Sequence, residues 1–144
     1  MVVLIVLFGS LVCYRVLGVL GVLFFASWMN CERFALATMF LFTAVTHFAP
    51  MKKDMIAMVP PSFPRPDLLV AVTGVLEFAG AAGLLIPATR TWAAWGLIAL
   101  LVAMFSANVS AARRGLKLGG RPVTPLWIRA PMQVLFVFWA WWVR

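Results

Sequence analysis

Five long apolar runs, separated by short polar connections, take up most of the chain: residues 2–26, 34–49, 68–86, 92–112 and 126–143. A helical run of about 20 apolar residues matches the hydrocarbon thickness of a bilayer. Five such spans consume about 100 residues and leave about 40 for loops. No soluble domain fits beside them in 144 residues. Charged residues make up 11% of the chain and hydrophobic ones 65%, whereas a water-facing domain carries about twice that share of charge. The sequence therefore predicts an all-α, polytopic membrane helical bundle of about five spans, forming one domain over residues 1–144. Disorder, collagen-like structure and a secreted disulfide scaffold are excluded by the same figures.

The first run resembles a signal peptide only superficially. It lacks a basic start, is too long, and carries Arg15 in its middle, so it is expected to be a retained helix. The second run stops at Pro50, with Asn30 as a cap if the helix begins early. Pro66 and Pro87 bracket the third. Thr89 or Thr91 would cap the fourth, and Pro131 lies near the start of the fifth. Between the second and third runs, Pro50, Pro60, Pro61, Pro64 and Pro66 forbid one long helix. There Met51, Met55 and Met58 share a helical face beside Lys52, Lys53 and Asp54, which suggests a short amphipathic turn lying at the interface. The segment from Arg113 to Pro125 reads as a basic, solvated loop.

The net charge is +8. The basic residues fall between the apolar runs, so anionic headgroups of the lipid bilayer explain them and nucleic acid does not. Lys52, Lys53, Arg65, Arg113, Arg114, Lys117 and Arg121 occupy the two longer loops, against Arg33, Arg90 and Arg144 on the other side. Seven against three places the longer loops and the N-terminus in the cytoplasm of a bacterial-type plasma membrane. Trp92, Trp95, Trp139, Trp141 and Trp142 would then form an aromatic belt at the outer interface. Cys13 and Cys31 lie about 27 Å apart along a continuous helix, too far for a disulfide unless the chain reverses sharply near Trp28. No CxxC and no metal-binding spacing is present.

Polar residues within the runs carry the functional information, because an ionisable group at membrane depth is costly unless paired or water-facing. Counting about 1.5 Å per residue from the cytoplasmic end of each helix, Glu77 lies about 14 Å deep and Arg15 about 20 Å. The difference is within reach of an arginine side chain, so an Arg15–Glu77 ion pair is expected. His47 and Asn108 lie about 4 to 6 Å deep and Gln133 about 10 Å. Thr43 shares a face with His47, and Thr73 with Glu77. Four helices thus aim polar groups at the inner half of the bilayer. The functional reading is a pocket bounded by His47, Glu77, Asn108 and Gln133, walled by Thr43 and Thr73, in which His47 and Glu77 exchange protons. The structural reading is helix glue. Arg129 lies one turn from Gln133, either as a pocket or headgroup contact or snorkelling to the interface. Ala79, Gly80 and Gly83 suit close helix packing.

Several motifs, in order, carry a resemblance. They are HFAP at residues 47–50, MVPP at 58–61, TGVLEFAGAAGLLIP at 73–87, SANVSAA at 106–112 and IRAPMQ at 128–133. Together they resemble the DoxX and DoxX-like membrane proteins over residues 28–144. The family pattern often has Pro where this chain has Ser106, which implies a less kinked fourth helix. The resemblance implies a four-helix core, with residues 1–27 as an extra N-terminal helix. It also implies association with redox chemistry, with matching residues His47, Glu77, Asn108, Arg129 and Gln133. The chain has no flavin, haem or iron–sulfur signature, so a quinone or a soluble redox partner protein would carry the electrons.

Three functions compete. The first is a redox-associated membrane subunit with a quinone or small-ligand pocket. The second is a non-enzymatic scaffold or assembly factor docking a partner through its basic loops. The third is a transporter, the weakest because no inverted repeat is present. Whether the chain is an enzyme, and whether it forms a homo-oligomer, stay open. Cysteine-accessibility labelling should place positions 53 and 117 on one side of the membrane and position 90 on the other. Labelling of 53 and 117 from opposite sides would overturn the count of spans.

Overall fold

The computed structural model describes residues 2–144. Six α-helices account for most of them: α1 (Val2–Val19), α2 (Trp28–Thr46), α3 (Lys52–Met58), α4 (Pro66–Leu85), α5 (Arg90–Arg113) and α6 (Leu126–Trp142). A 3₁₀ turn, Leu23–Ala26, precedes α2, and two short strands, β1 (Lys117–Leu118) and β2 (Arg121–Pro122), precede α6. The expected all-helical bundle is present. Three helices, α1, α4 and α5, are long and apolar enough to cross a membrane. The other two long helices fall outside that description: α2 carries Glu32 and Arg33 near its start, and α6 has 17 residues.

The first apolar run is not one helix. Gly21 takes φ +104°, a conformation open to glycine and strained for other residues. The Val22 N–H then donates to the Leu17 carbonyl at 3.0 Å, and the Gly21 N–H to Gly18 at 3.3 Å. This pair of bonds is the Schellman stop, which satisfies the last carbonyls of a helix while turning the chain away. The apolar composition of residues 20–26 hid the break. Beyond it the chain folds back and α2 packs against α1. Stacked and edge-on rings of Tyr14, Phe24, Phe25 and Phe34 fill the bend, with centroids 4.8 to 5.3 Å apart for Tyr14–Phe25, Phe25–Phe34 and Phe24–Phe34. The hydroxyls of Tyr14 and Thr38 meet at 2.8 Å. Asn30 does not cap α2; its amide donates back to the Phe24 carbonyl at 2.8 Å. Cys13 is exposed and Cys31 buried, both as free thiols, and the Cys31 thiol donates to the Phe25 carbonyl.

At the heart of the bundle is α2, with Cys31, Ala35, Leu36, Ala37, Met39, Phe40 and Ala44 all buried. One flank packs on α1 and the other on α4; α5 follows α4, and α6 packs on α5. Leu7 of α1 joins the same core as Leu84, Leu97 and Phe136. Gly80 and Gly83 let α4 close on α5, since a Cβ there would strike Leu97 and Ala93 respectively. This is the packing role expected of that small-residue stretch. Thr89 stands at the N-cap of α5, but its hydroxyl donates to the Gly83 carbonyl and not into α5.

The chain directions bring both basic loops to one end of the bundle, where α2 and α5 finish and α4 and α6 begin. The amphipathic turn forms there as α3, with Met58 buried and Lys53 exposed. The stretch expected to be a basic, solvated loop holds a hairpin. Gly119 and Gly120 both have positive φ, as a two-residue hairpin turn requires. The Gly119 N–H donates to the Asp54 carboxylate at 2.8 Å. Arg114 donates to the Met58 and Val59 carbonyls at 3.1 Å, closing the end of α3. At the other end, the Glu32 carboxylate accepts from the Trp142 indole at 2.9 Å, and Arg33 donates to the Val143 carbonyl at 3.0 Å.

Gly18 tests the reversal after α1. A Cβ at this position would collide with the backbone carbonyl of Phe25, whereas one at Gly9 would meet nothing within 4 Å. Gly18→Ala should lower stability by about 1 to 3 kcal/mol, as overpacking does. Gly9→Ala should leave the melting temperature unchanged or higher. Equal effects of the two substitutions on thermal unfolding in detergent would contradict this account of the bend.

Candidate functional site

The polar centre of the bundle lies where α2 ends against α4. Val70, Thr73, Gly74 and Glu77 follow at steps of three, four and seven, which brings them to one face of α4. His47 is the C-cap of α2 and turns its ring onto that face. Gly74 makes the approach possible: a Cβ there would come within 2.6 Å of the His47 Cβ and 3.0 Å of Phe48.

The imidazole has a polar neighbour at each nitrogen. Its Nδ1 lies 2.7 Å from the Val70 carbonyl oxygen and 3.3 Å from the Thr73 hydroxyl. A carbonyl can only accept, so Nδ1 carries a proton. Nε2 faces Glu77 Oε2 at 3.5 Å. Both side chains are almost fully buried, with 3% exposure for His47 and 2% for Glu77. Glu77 Oε2 has no hydrogen-bond partner among the described residues. One proton shared between Nε2 and Oε2 would serve both atoms if they close from 3.5 Å to hydrogen-bond distance. The pair then exists either as imidazolium and carboxylate or as neutral imidazole and carboxylic acid, and passing between them requires only a short proton movement. Thr43 stands beside the Glu77 carboxyl and donates its own hydroxyl proton to the Phe40 carbonyl at 3.0 Å.

His47, Glu77, Thr43 and Thr73, all expected at the site, therefore come together. His47 and Glu77 were expected at different depths. They meet because α2 stops at Thr46 against the side of α4, while α3 packs on α4 and α5, so the depth of His47 cannot be counted from the edge of the bundle.

The Arg15–Glu77 ion pair does not form. Arg15 sits one turn from the end of α1, and α1 packs on α2. Its guanidinium donates to the Ala26 carbonyl at 2.8 Å and lies 4.7 Å from the centre of the Trp28 ring. The depth argument failed because similar depth does not make neighbours: α1 packs on α2 and not on α4. Asn108, Arg129 and Gln133 make no hydrogen bond with the His47–Glu77 group among the described residues. Two surface grooves run between helices. One of 560 Å³ is lined by residues including Ala79, Gly83, Trp92 and Gly96, and one of 340 Å³ by Ala44, Val45, Phe48, Val75 and Phe78. Neither is lined by the expected pocket residues. Among the described residues no group of His, Cys, Asp and Glu could hold a metal ion. Gly74 and the Val70 carbonyl were missed in the sequence, although both stand at helical spacing from Glu77.

A family model described as a domain of unknown function, DUF8561, matches residues 36–144. No curated protein and no solved structure matches the chain. The DoxX expectation is thereby overturned: its motifs are short and built from common membrane-helix residues. The quinone and the redox partner, which entered only through that resemblance, lose their ground with it.

The geometry sets the histidine tautomer. ¹⁵N NMR of histidine-labelled protein should show Nδ1 protonated throughout, with any change on titration confined to Nε2. A spectrum with Nε2–H and bare Nδ1 would contradict the Val70 contact.

Proposed function

For a chain that belongs to the DUF8561 family, described only as a domain of unknown function, we propose a reading from its own chemistry. The protein is an integral membrane bundle of five spans, with its basic end in the cytoplasm, and the His47–Glu77 pair is its working site. The pair holds one exchangeable proton within reach of a small polar ligand that can share a hydrogen bond with the carboxyl group. The carrying observation is the burial of an acid against a base when Glu77 Oε2 has no other donor. An ionisable residue at such a position in an apolar helix is costly, and function is the usual reason for retaining it. Glu77 is the twelfth residue of the twenty in α4, about 16 Å along the helix, near the middle of a bilayer. The five-span arrangement is supported by three strongly apolar helices and by α2 and α6, whose charged residues lie within the first two turns of each.

A second reading is a scaffold, in which the pair only fixes α2 on α4. The gathering of basic side chains at one end favours it, because that surface suits an acidic soluble partner.

Infrared titration in lipid nanodiscs separates the two. A working site should give a carboxyl C=O band that changes between about pH 4 and pH 10, disappears in Glu77→Gln and moves in His47→Gln. The scaffold reading expects no such band and a marked loss of thermal stability in both variants. If the wild-type protein is found soluble without detergent or lipid, the membrane assignment fails.

A further inference from the structure

On α6, Arg129, Gln133, Phe136 and Ala140 fall at steps of four, seven and eleven, which is one helical stripe. Phe136 and Ala140 are buried, so this stripe faces the bundle. The opposite face is exposed at Trp127, Val134 and Phe138. Arg129 therefore does not sit on the outward face, where snorkelling would explain it. It is half-buried and forms no hydrogen bond or ion pair among the described residues, the one acid–base contact within 4.0 Å being His47–Glu77. One turn along the same stripe, the Gln133 Nε2 is fully buried and lacks a partner. Two neighbouring donors, one of them charged, thus point inward unsatisfied, where burying either alone is costly.

No carboxylate lies within 4.0 Å of Arg129 among the described residues. Of the four acidic residues, Glu32 accepts from Trp142 at the far end, Asp54 from Gly119, and Glu77 pairs with His47. Asp67 is exposed in the first turn of α4. Arg129 is the fourth residue of α6, about 5 Å from its basic end, which is headgroup level if the helix spans. Asn108 adds a half-buried amide on the stripe of α5 that includes Leu97, Leu101 and Ala111.

We propose that Arg129 and Gln133 form a binding site for a phosphate group at the basic end of the bundle, entered beside the first turns of α6. A guanidinium matches two phosphate oxygens at once, and the amide supplies a third donor one turn deeper. The group that fits the depth is the headgroup phosphate of an anionic phospholipid. Free phosphate shares the chemistry. The site rests on the membrane reading above but not on the His47–Glu77 pair.

Thermal unfolding in detergent, with phosphatidylglycerol, phosphatidylcholine or inorganic phosphate added, tests the site. Phosphatidylglycerol should raise the melting temperature and phosphatidylcholine of the same chain length should not. Its half-saturating concentration should rise about tenfold in Arg129→Gln and in Gln133→Met. In Lys53→Gln, a control at the same end, it should change by less than about twofold. An Arg129-dependent effect of inorganic phosphate alone supports the site with free phosphate as its occupant. Equal stabilisation by both lipids overturns the proposal, as does equal weakening by Lys53→Gln and Arg129→Gln, the mark of diffuse charge attraction. If Arg129→Gln does not fold, Arg129→Lys and Gln133→Met decide, since lysine keeps the charge and loses the two-point contact. Protein that needs no detergent to stay in solution would instead bring down the membrane reading.

Discussion

The contact between His47 and the polar face of α4 organises the bundle. It joins the C-terminus of the most buried helix to the middle of its neighbour, and it does so through the Val70 carbonyl and the Glu77 carboxyl together. Each half needs the other. Without Glu77, the imidazole Nε2 would lose its acidic neighbour. Without His47, a carboxyl would be buried with no donor, which costs several times an ordinary hydrogen bond. The approach also depends on a missing side chain, because only the hydrogen of Gly74 leaves room for the ring. The same three residues therefore set the α2–α4 distance, the rotation of α2 and the composition of the candidate site.

Around that contact, both ends of the bundle are closed by polar groups answering backbone. Arg114 ties α5 to the last carbonyls of α3, and Asp54 of α3 ties back to the hairpin. At the far end Arg33 and Glu32 of α2 grip the end of α6, and Arg15 holds the bend after α1. A chain with so few charged residues uses several of them as fasteners at helix ends, where carbonyls lack partners within the helix. Arg129 departs from this pattern, since it lies inward and fastens nothing. It belongs to the proposed phosphate site, separate from the His47–Glu77 centre.

Much of the candidate site was legible in the sequence, because helical spacing alone aligns Thr43 with His47 and Thr73 with Glu77. What could not be read was which helices touch. Arg15 and Glu77 had similar estimated depths, yet α1 packs on α2 and not on α4, and depth says nothing about neighbours. The bend at Gly21 was equally hidden, because residues 20–26 are as apolar as the helix before them and the stop is made by backbone conformation. The short motifs that suggested DoxX did not identify the family, which is DUF8561.

Apolar periodicity and proline placement determined by themselves that the chain is helical, where the long helices lie to within about two turns, and that the basic residues cluster in the connections. Those are local properties: spacing along one helix and the inability of proline to continue one. Tertiary structure decided the rest. It shortened α1 at Gly21, turned the Gly119–Gly120 loop into a hairpin, gave Glu77 to His47 and left Arg129 facing inward without a partner. Each of these depends on which surfaces meet across the bundle. Close packing permits few arrangements of such surfaces, and spacing along a single helix does not distinguish among them.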